Sequence, residues 1–156
     1  MENLSLCIRK IQKNDESQIY SLCKKCFSDQ EAIEVVESLF DIDDFFVIEK
    51  SKDNEIIGLV AFGLYSLHIG HIMILAVHPN YQNKGIGTLL LEKVVNDLQK
   101  QHVRNIRLEV RTTNLNAIKF YEKHNFRIVD TLEQYYADLE DAFLMIYEIE
   151  ENQEKK

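Results

Sequence analysis

Residues 82–88 read Gln-Asn-Lys-Gly-Ile-Gly-Thr and lead straight into an apolar-periodic segment. The first turn of a helix has unpaired N–H groups and the positive end of the macrodipole, so it attracts anions, phosphate above all. Gly85 and Gly87 there let backbone approach an anion with no Cβ between them, while Lys84 can add charge and Thr88 a hydroxyl. The pattern is not a P-loop, which needs Gly-Lys followed by Ser or Thr. Nor is it a dinucleotide fingerprint, since Leu90 stands where a third glycine belongs. An ordinary tight turn packed through small residues stays open at this point.

A second group with chemical potential is 106-IRLEVR-111, which alternates strictly. Ile106, Leu108 and Val110 face one way, and Arg107, Glu109 and Arg111 the other. Glu109 is a candidate general base on that polar face, or a salt-bridge partner of Arg107 or Arg111. His71 is a second base candidate, and His78, beside Pro79, is expected to be exposed. Downstream, Asn114, Ala117 and Tyr121 are spaced three and four apart and share one helix face. Tyr121 is either a reactive phenol or a core aromatic with a satisfied hydroxyl. The tandem Tyr135 and Tyr136 either wall a pocket or pack beneath a hairpin.

The elements that must position these groups follow from periodicity. A strand is expected over 5–11, a helix capped by Asn14 or Asp15 over 15–27, and a short helix over about 30–39. Strands 45–50 and 55–65 pair through a turn at 51–54, and 71–78 reads as a central strand covered on both faces. A helix runs from Gly85 to about Lys100, and another over about 114–124. Further strands lie at 106–111, about 126–131 and 143–149. The order β-α-α-β-β-β-α-β-α-β-β describes a mixed α/β sheet with an early antiparallel meander and a βαβ crossover in the middle.

The chain has 156 residues, 46% hydrophobic and 28% charged, as one soluble domain uses. One domain over residues 1–150, with a polar tail over 151–156, is the expectation. No apolar run approaches the roughly 20 residues that span a membrane, no signal peptide is evident, and a cytoplasmic location is expected. The net charge of −8 argues against nucleic acid as partner and suits a cationic acceptor. Cys23 and Cys26 form a lone CxxC with no second pair and sit in a helical pattern, so they read as core thiols. No metal is expected.

The run 77-VHPNYQNKGIGTLLL-91 closely resembles the acetyl-CoA-binding motif of the GNAT superfamily of N-acetyltransferases, V-x-P-x-[YF]-[QR]-x-x-G-x-[GA]. Val77, Pro79, Tyr81, Gln82, Gly85 and Gly87 stand at matching positions. The segment 108-LEVRTTNLNAIKFYEKHNF-126 resembles that superfamily's second signature, and 133-EQYYADLEDAFLM-145 is similar to the ending found in ribosomal-protein and archaeal N-terminal acetyltransferases. Asn125 and Leu139 stand where those patterns carry glycine.

The resemblance implies a single three-layer domain with a mostly antiparallel sheet splayed at the cofactor strand. It implies acetyl-CoA as co-substrate, with its pyrophosphate on the backbone of Gln82, Asn83, Lys84, Gly85, Ile86, Gly87 and Thr88. The pantetheine arm would pair with Leu75, Ala76 and Val77, and Asn114, Ala117 and Tyr121 would line the cofactor. It implies Glu109 as general base, Tyr121 as general acid toward the thiolate, and Tyr135 and Tyr136 against a peptide N-terminus. Acetylation of a protein α-amino group is the leading expectation. A small amine (polyamine, amino acid or aminoglycoside) is the alternative acceptor, and a non-catalytic acyl-CoA-binding module the third reading.

Overall fold

The computed structural model describes residues 4–27 and 30–151, so the tail expected from 151 lies outside the described residues from 152 onward. The elements run β1 (Leu6–Lys10), α1 (Glu16–Cys26), α2 (Gln30–Leu39), β2 (Phe45–Lys50), β3 (Glu55–Ser66), β4 (Ile69–Val77), α3 (Ile86–Lys100), β5 (Asn105–Arg111), α4 (Leu115–Lys123), β6 (Arg127–Leu132) and β7 (Ala142–Glu148). The order matches the expected one. The strands pair as β1-β2-β3-β4-β5-β7-β6, with β1–β2, β2–β3, β5–β7 and β6–β7 antiparallel and β4–β5 parallel. The parallel pair is the one joined through helix α3, because a crossover connection is what parallel neighbours require.

Contacts group the chain into two compact units, Met1–Gly63 with Ile72–Asn96, and Leu64–His71 with Asp97–Lys156. In the first unit the apolar faces of α1 and α2, through Ile19, Leu22, Cys23, Val36 and Leu39, close on Phe45, Val47, Leu59, Ala61, Ile74 and Ala76. Burial drives the Cys23 thiol up to about 12 and that of Cys26 to about 11, so both stay protonated packing groups. Asp15 does not cap α1 with its side chain, contrary to expectation. Its carboxylate instead takes the Gln12 N–H at 2.7 Å and a two-toothed grip from Arg9 at 2.7 and 2.9 Å, and Arg9 also reaches Glu49 at 2.8 Å.

Two further expectations are corrected. Along β4 only Gly70, Ile72, Ile74 and Ala76 are buried, and the alternate residues from Ile69 to Val77 are half-open, so one face of that strand is not fully covered. His78 is buried, 8% exposed. Its Nδ1 accepts from the Asn80 N–H at 3.1 Å, its backbone N–H donates to Ile57 O at 2.8 Å, and its ring packs edge-on against Tyr81. The imidazole thus caps the short turn Pro79–Tyr81 that precedes the glycine stretch.

In the second unit β5 buries Ile106, Leu108 and Val110, as the alternation predicts, together with Ile118, Phe126 and Met145. Gly70 lies so close to α3 that an added Cβ would sit 2.4 Å from Leu98 Cδ1. That close approach fixes the start of β4 and hence the residue after it, His71.

Candidate active site

The first unit holds the glycine turn. Asn83 and Gly85 both take left-handed backbone, φ 59° and 82°. Asparagine and glycine are the residues that tolerate this best, which is why the chain can reverse here with no bulky side chain over the backbone. No atom lies within 4 Å of where a Cβ on Gly85 would be, so the backbone faces open space at the N-terminus of the 15-residue helix α3. Ile86 and Gly87, in the first turn, have no carbonyl a turn earlier to bond. The positions expected to meet a pyrophosphate therefore present uncovered backbone at a helix N-terminus. Lys84 Nζ lies 5.4 Å from the Tyr81 ring centroid. The Gln82 side chain is used structurally, its Nε2 donating to Val77 O at 3.1 Å, and Cys26 Sγ donates to the same carbonyl at 3.3 Å. Leu75 and Val77 lie on the half-open face of β4, whereas Ala76 is buried.

The second unit gathers the acid–base candidates. The parallel register pairs His71 with Arg107, which puts Glu109 two residues along the same face of β5. Glu109 Oε2 lies 2.7 Å from His71 Nε2, and Oε1 accepts from Arg107 Nη2 at 2.7 Å and Nε at 3.2 Å. Both oxygens are engaged, and the Glu109 side chain is only 9% exposed. Burial opposes ionisation, but the hydrogen bonds from His71 and Arg107 outweigh it and hold the carboxyl below the usual carboxylate range. An ionised carboxylate only accepts, so His71 Nε2 carries the proton between them and Nδ1 is left as the nitrogen that can take one. The Tyr65 ring backs the group, edge-on to His71 and 4.2 Å from the Arg107 guanidinium.

Of the two arginines expected to compete for Glu109, only Arg107 does so. Arg111 turns to the β6–β7 connection, where it bonds Asp138 at 2.9 and 3.1 Å and Glu140 at 2.7 Å, with its guanidinium 3.9 Å from the Tyr136 ring centroid. That connection spans residues 133–141, and within it residues 137–139 form a three-residue loop. Leu139 N donates to Tyr136 O at 2.8 Å, and Tyr136 N to Glu140 O at 3.2 Å. Such loops combine a type I turn with a left-handed residue in a bulge, where glycine is the default. Here Leu139 occupies it with φ 67°. The left-handed state costs a non-glycine residue roughly 1–2 kcal/mol. The tyrosines divide in role: Tyr136 is half-buried on Arg111, and Tyr135 is exposed and meets it edge-on.

Asn114 caps α4 through its Oδ1, accepting from Ala117 N at 3.2 Å. Two helix turns on, Tyr121 is 8% exposed, its ring set edge-on against Phe120 and Phe126. Burial first, and the charge of Tyr136 second, push its phenol well above the usual tyrosine range, so it stays protonated at neutral pH. Asn125, at the other expected glycine position, has φ 66°, a state asparagine tolerates. Among the described residues no group of His, Cys, Asp and Glu is placed to hold a metal ion, and no helix is long and apolar enough to cross a membrane.

Sequence reasoning had weighed His71 only as a second base, and it missed Tyr65 and the separate employment of Arg111. The signal for His71 was its place beside Gly70 at the start of a strand that must pair in parallel with 106–111.

Comparison with known proteins agrees with this architecture. An N-alpha-acetyltransferase of Saccharolobus solfataricus is 47% identical over 77 residues, 49% of this chain and 46% of that protein. This chain spans about half the length of such relatives. Ard1 from Thermoplasma volcanium superposes with a TM-score of 0.81 at 26% identity, covering 95% of this chain and 100% of that one. Naa50 of Arabidopsis thaliana, solved with the bisubstrate analogue CoA-Ac-MVNAL, gives 0.79 at 25% identity, covering 94% and 100%. Residues 16–126, which hold both the glycine turn and the Glu109 group, match the family model described as Acetyltransferase (GNAT) family, and the chain belongs to that family.

Proposed function

We propose that this protein is a single-domain N-acetyltransferase that moves the acetyl group of acetyl-CoA directly to the N-terminal α-amino group of a protein or peptide. The observation that carries the reading is the Glu109–His71 pair on neighbouring strands, in a chain of this family. Similarity to N-alpha-acetyltransferases and to a fold captured with a CoA–peptide analogue supports the acceptor and the donor.

Acetyl-CoA supplies the thioester whose acyl carbon the amine attacks. The backbone from Gln82 to Thr88 holds the pyrophosphate at the α3 N-terminus, and Leu75, Ala76 and Val77 align the pantetheine arm, with a backbone N–H there facing the thioester oxygen. Asn114 and Ala117 frame the arm on α4. An α-ammonium must lose a proton before it can attack. Glu109 is a poor direct base, because both its oxygens are occupied and its carboxyl is held down. It instead fixes the proton on His71 Nε2, so that His71 Nδ1 receives the proton of the amine. Tyr121, kept protonated by burial, gives its proton to the departing thiolate. Tyr135 and Tyr136 flank the acceptor.

The test is acetyl-CoA turnover against peptides with Met, Ala and Ser N-termini, beside spermidine and lysine-bearing peptides. Turnover of α-amino peptides is expected. Robust turnover of spermidine with none of any N-terminal peptide would overturn the reading.

A further inference from the structure

The end of β3 runs past the core: residues 56–62 are buried, whereas Leu64, Tyr65 and Ser66 are exposed. Two residues, Leu67 and His68, then lead into β4, whose third residue is His71. Tyr65 is 59% exposed, so its ring adds little to the apolar burial that holds the fold. The ring meets the acid–base group instead. The Arg107 guanidinium carbon lies 4.2 Å from the ring centroid, and the His71 ring stands nearly perpendicular at 83°, with centroids 6.1 Å apart.

The contact with Arg107 has a directional consequence. A guanidinium carries its donors along the edge and leaves a flat face above them. Arg107 uses two edge donors, Nη2 at 2.7 Å and Nε at 3.2 Å, on Glu109 Oε1. The face is left for an aromatic ring, so the two contacts do not compete. An arginine held by a carboxylate alone keeps much of its rotamer freedom, and freezing that freedom offsets much of what an ion pair contributes. The Tyr65 ring restricts it. With Arg107 fixed on Oε1, Oε2 remains for His71 Nε2 at 2.7 Å, and these bonds together hold the Glu109 carboxyl down. A released Arg107 would leave Oε1 without its donors and free the carboxylate to rotate against His71.

We propose that Tyr65 is a positioning residue for acetyl transfer: its ring holds the Arg107 guanidinium on Glu109 Oε1 and, through that carboxylate, keeps His71 oriented as the proton acceptor. The inference deepens the reading in which His71 takes the proton of the amine, and it rests on that reading. It requires no contact between Tyr65 and the acceptor. The titratable groups that meet the His71–Glu109 pair are Arg107 on β5, Tyr65 on β3, and Tyr136, whose phenol feels the charge of Glu109.

The experiment measures kcat and KM across pH for Tyr65→Phe, Tyr65→Leu, Arg107→Leu and the double variant, with acetyl-CoA and an α-amino peptide as acceptor. Tyr65→Leu is expected to lower kcat about tenfold, the size of one cation–π contact in a partly desolvated site, with KM for both substrates and Tm unchanged. Tyr65→Phe keeps the ring face and retains wild-type kcat. In Tyr65→Leu the Arg107 charge moves away from the pair, which then holds a proton more tightly, so the acid limb of the kcat profile moves to higher pH. Because Tyr65 acts through Arg107, the double variant falls no further than Arg107→Leu. A wild-type kcat in Tyr65→Leu, a rise in KM with kcat kept, or an additive loss in the double variant overturns the proposal. His71→Ala, measured alongside, separates the two levels. If it keeps wild-type kcat, the base reading and this inference fall together, whereas an inactive His71→Ala beside an unimpaired Tyr65→Leu overturns only the inference.

Discussion

Changing Glu109 to glutamine keeps the shape of the side chain and removes one acceptor oxygen. In the wild type, separate oxygens serve His71 Nε2 at 2.7 Å and Arg107 Nη2 at 2.7 Å. Glutamine has one oxygen and one NH2, so it satisfies one of these donors and points hydrogens at the other. Arg107 cannot give up its protons, so the amide oxygen must face Arg107 and the NH2 must face His71. His71 then has to present a lone pair at Nε2 and carry its proton on Nδ1, the nitrogen that should receive the proton of the amine. Turning an orienting carboxylate into its amide has cost about 10⁴-fold where it inverts a histidine tautomer. General base catalysis as a whole contributes roughly 10²–10⁴-fold. The expected fall in kcat for Glu109→Gln is therefore about 10²–10⁴-fold, or about 2.7–5.4 kcal/mol of barrier. Folding stability should fall by only about 1–3 kcal/mol, the difference between charge-assisted and neutral hydrogen bonds in a nearly buried site.

The assay is thiol release from acetyl-CoA with a saturating acceptor peptide, followed across pH for wild type, Glu109→Gln, His71→Ala and the double variant. Groups that act as a unit are not additive, so His71→Ala should fall about as far as Glu109→Gln, and the double variant little further. The reasoning is refuted if His71→Ala keeps most of its activity while Glu109→Gln loses it, because Glu109 would then be taking the proton itself. Near-wild-type kcat in both single variants would remove the pair from the mechanism altogether.

Tyr121→Phe removes the proton donor and leaves the packing against Phe120 and Phe126 intact. Its kcat should drop about 10²-fold or more with Tm nearly unchanged, as measured by steady-state kinetics and thermal melts. Arg9→Ala leaves the buried Asp15 and Glu49 carboxylates without their shared cation. With the Arg9 side chain about a quarter exposed, a loss of ~2–3 kcal/mol in urea unfolding is expected. Acid titration of stability should expose both carboxylate groups. Asp15 is held below its ordinary 3.8 chiefly by Arg9, and Glu109 below 4.5 by the bonds that outweigh its burial. A depressed carboxyl stabilises the fold fully above its unfolded value and loses that contribution as pH falls through the folded one. Wild type should therefore lose stability from about pH 4.5 downward, and the loss should be shallower in Arg9→Ala, which has already forfeited the Asp15 share.

What could be read from the sequence divides by the range of the interaction. The glycine turn and the faces of β5 were legible because they depend on spacing within a single element, and Gly85 and Glu109 lie where that spacing put them. The partner of Glu109 was not legible, because it depends on where other strands fall. Arg107 and Arg111 are equivalent by alternation, and only the arrival of Asp138 and Glu140, 27 and 29 residues further along, draws Arg111 away. His71 becomes the remaining partner through the parallel register that sets it beside Arg107. His78 misled for a similar reason: beside a proline it looks like a loop residue, yet its ring caps the next turn and is buried by doing so. Each of these three turns on a charged or hydrogen-bonding side chain choosing among several reachable partners. Apolar periodicity carries no information on that choice.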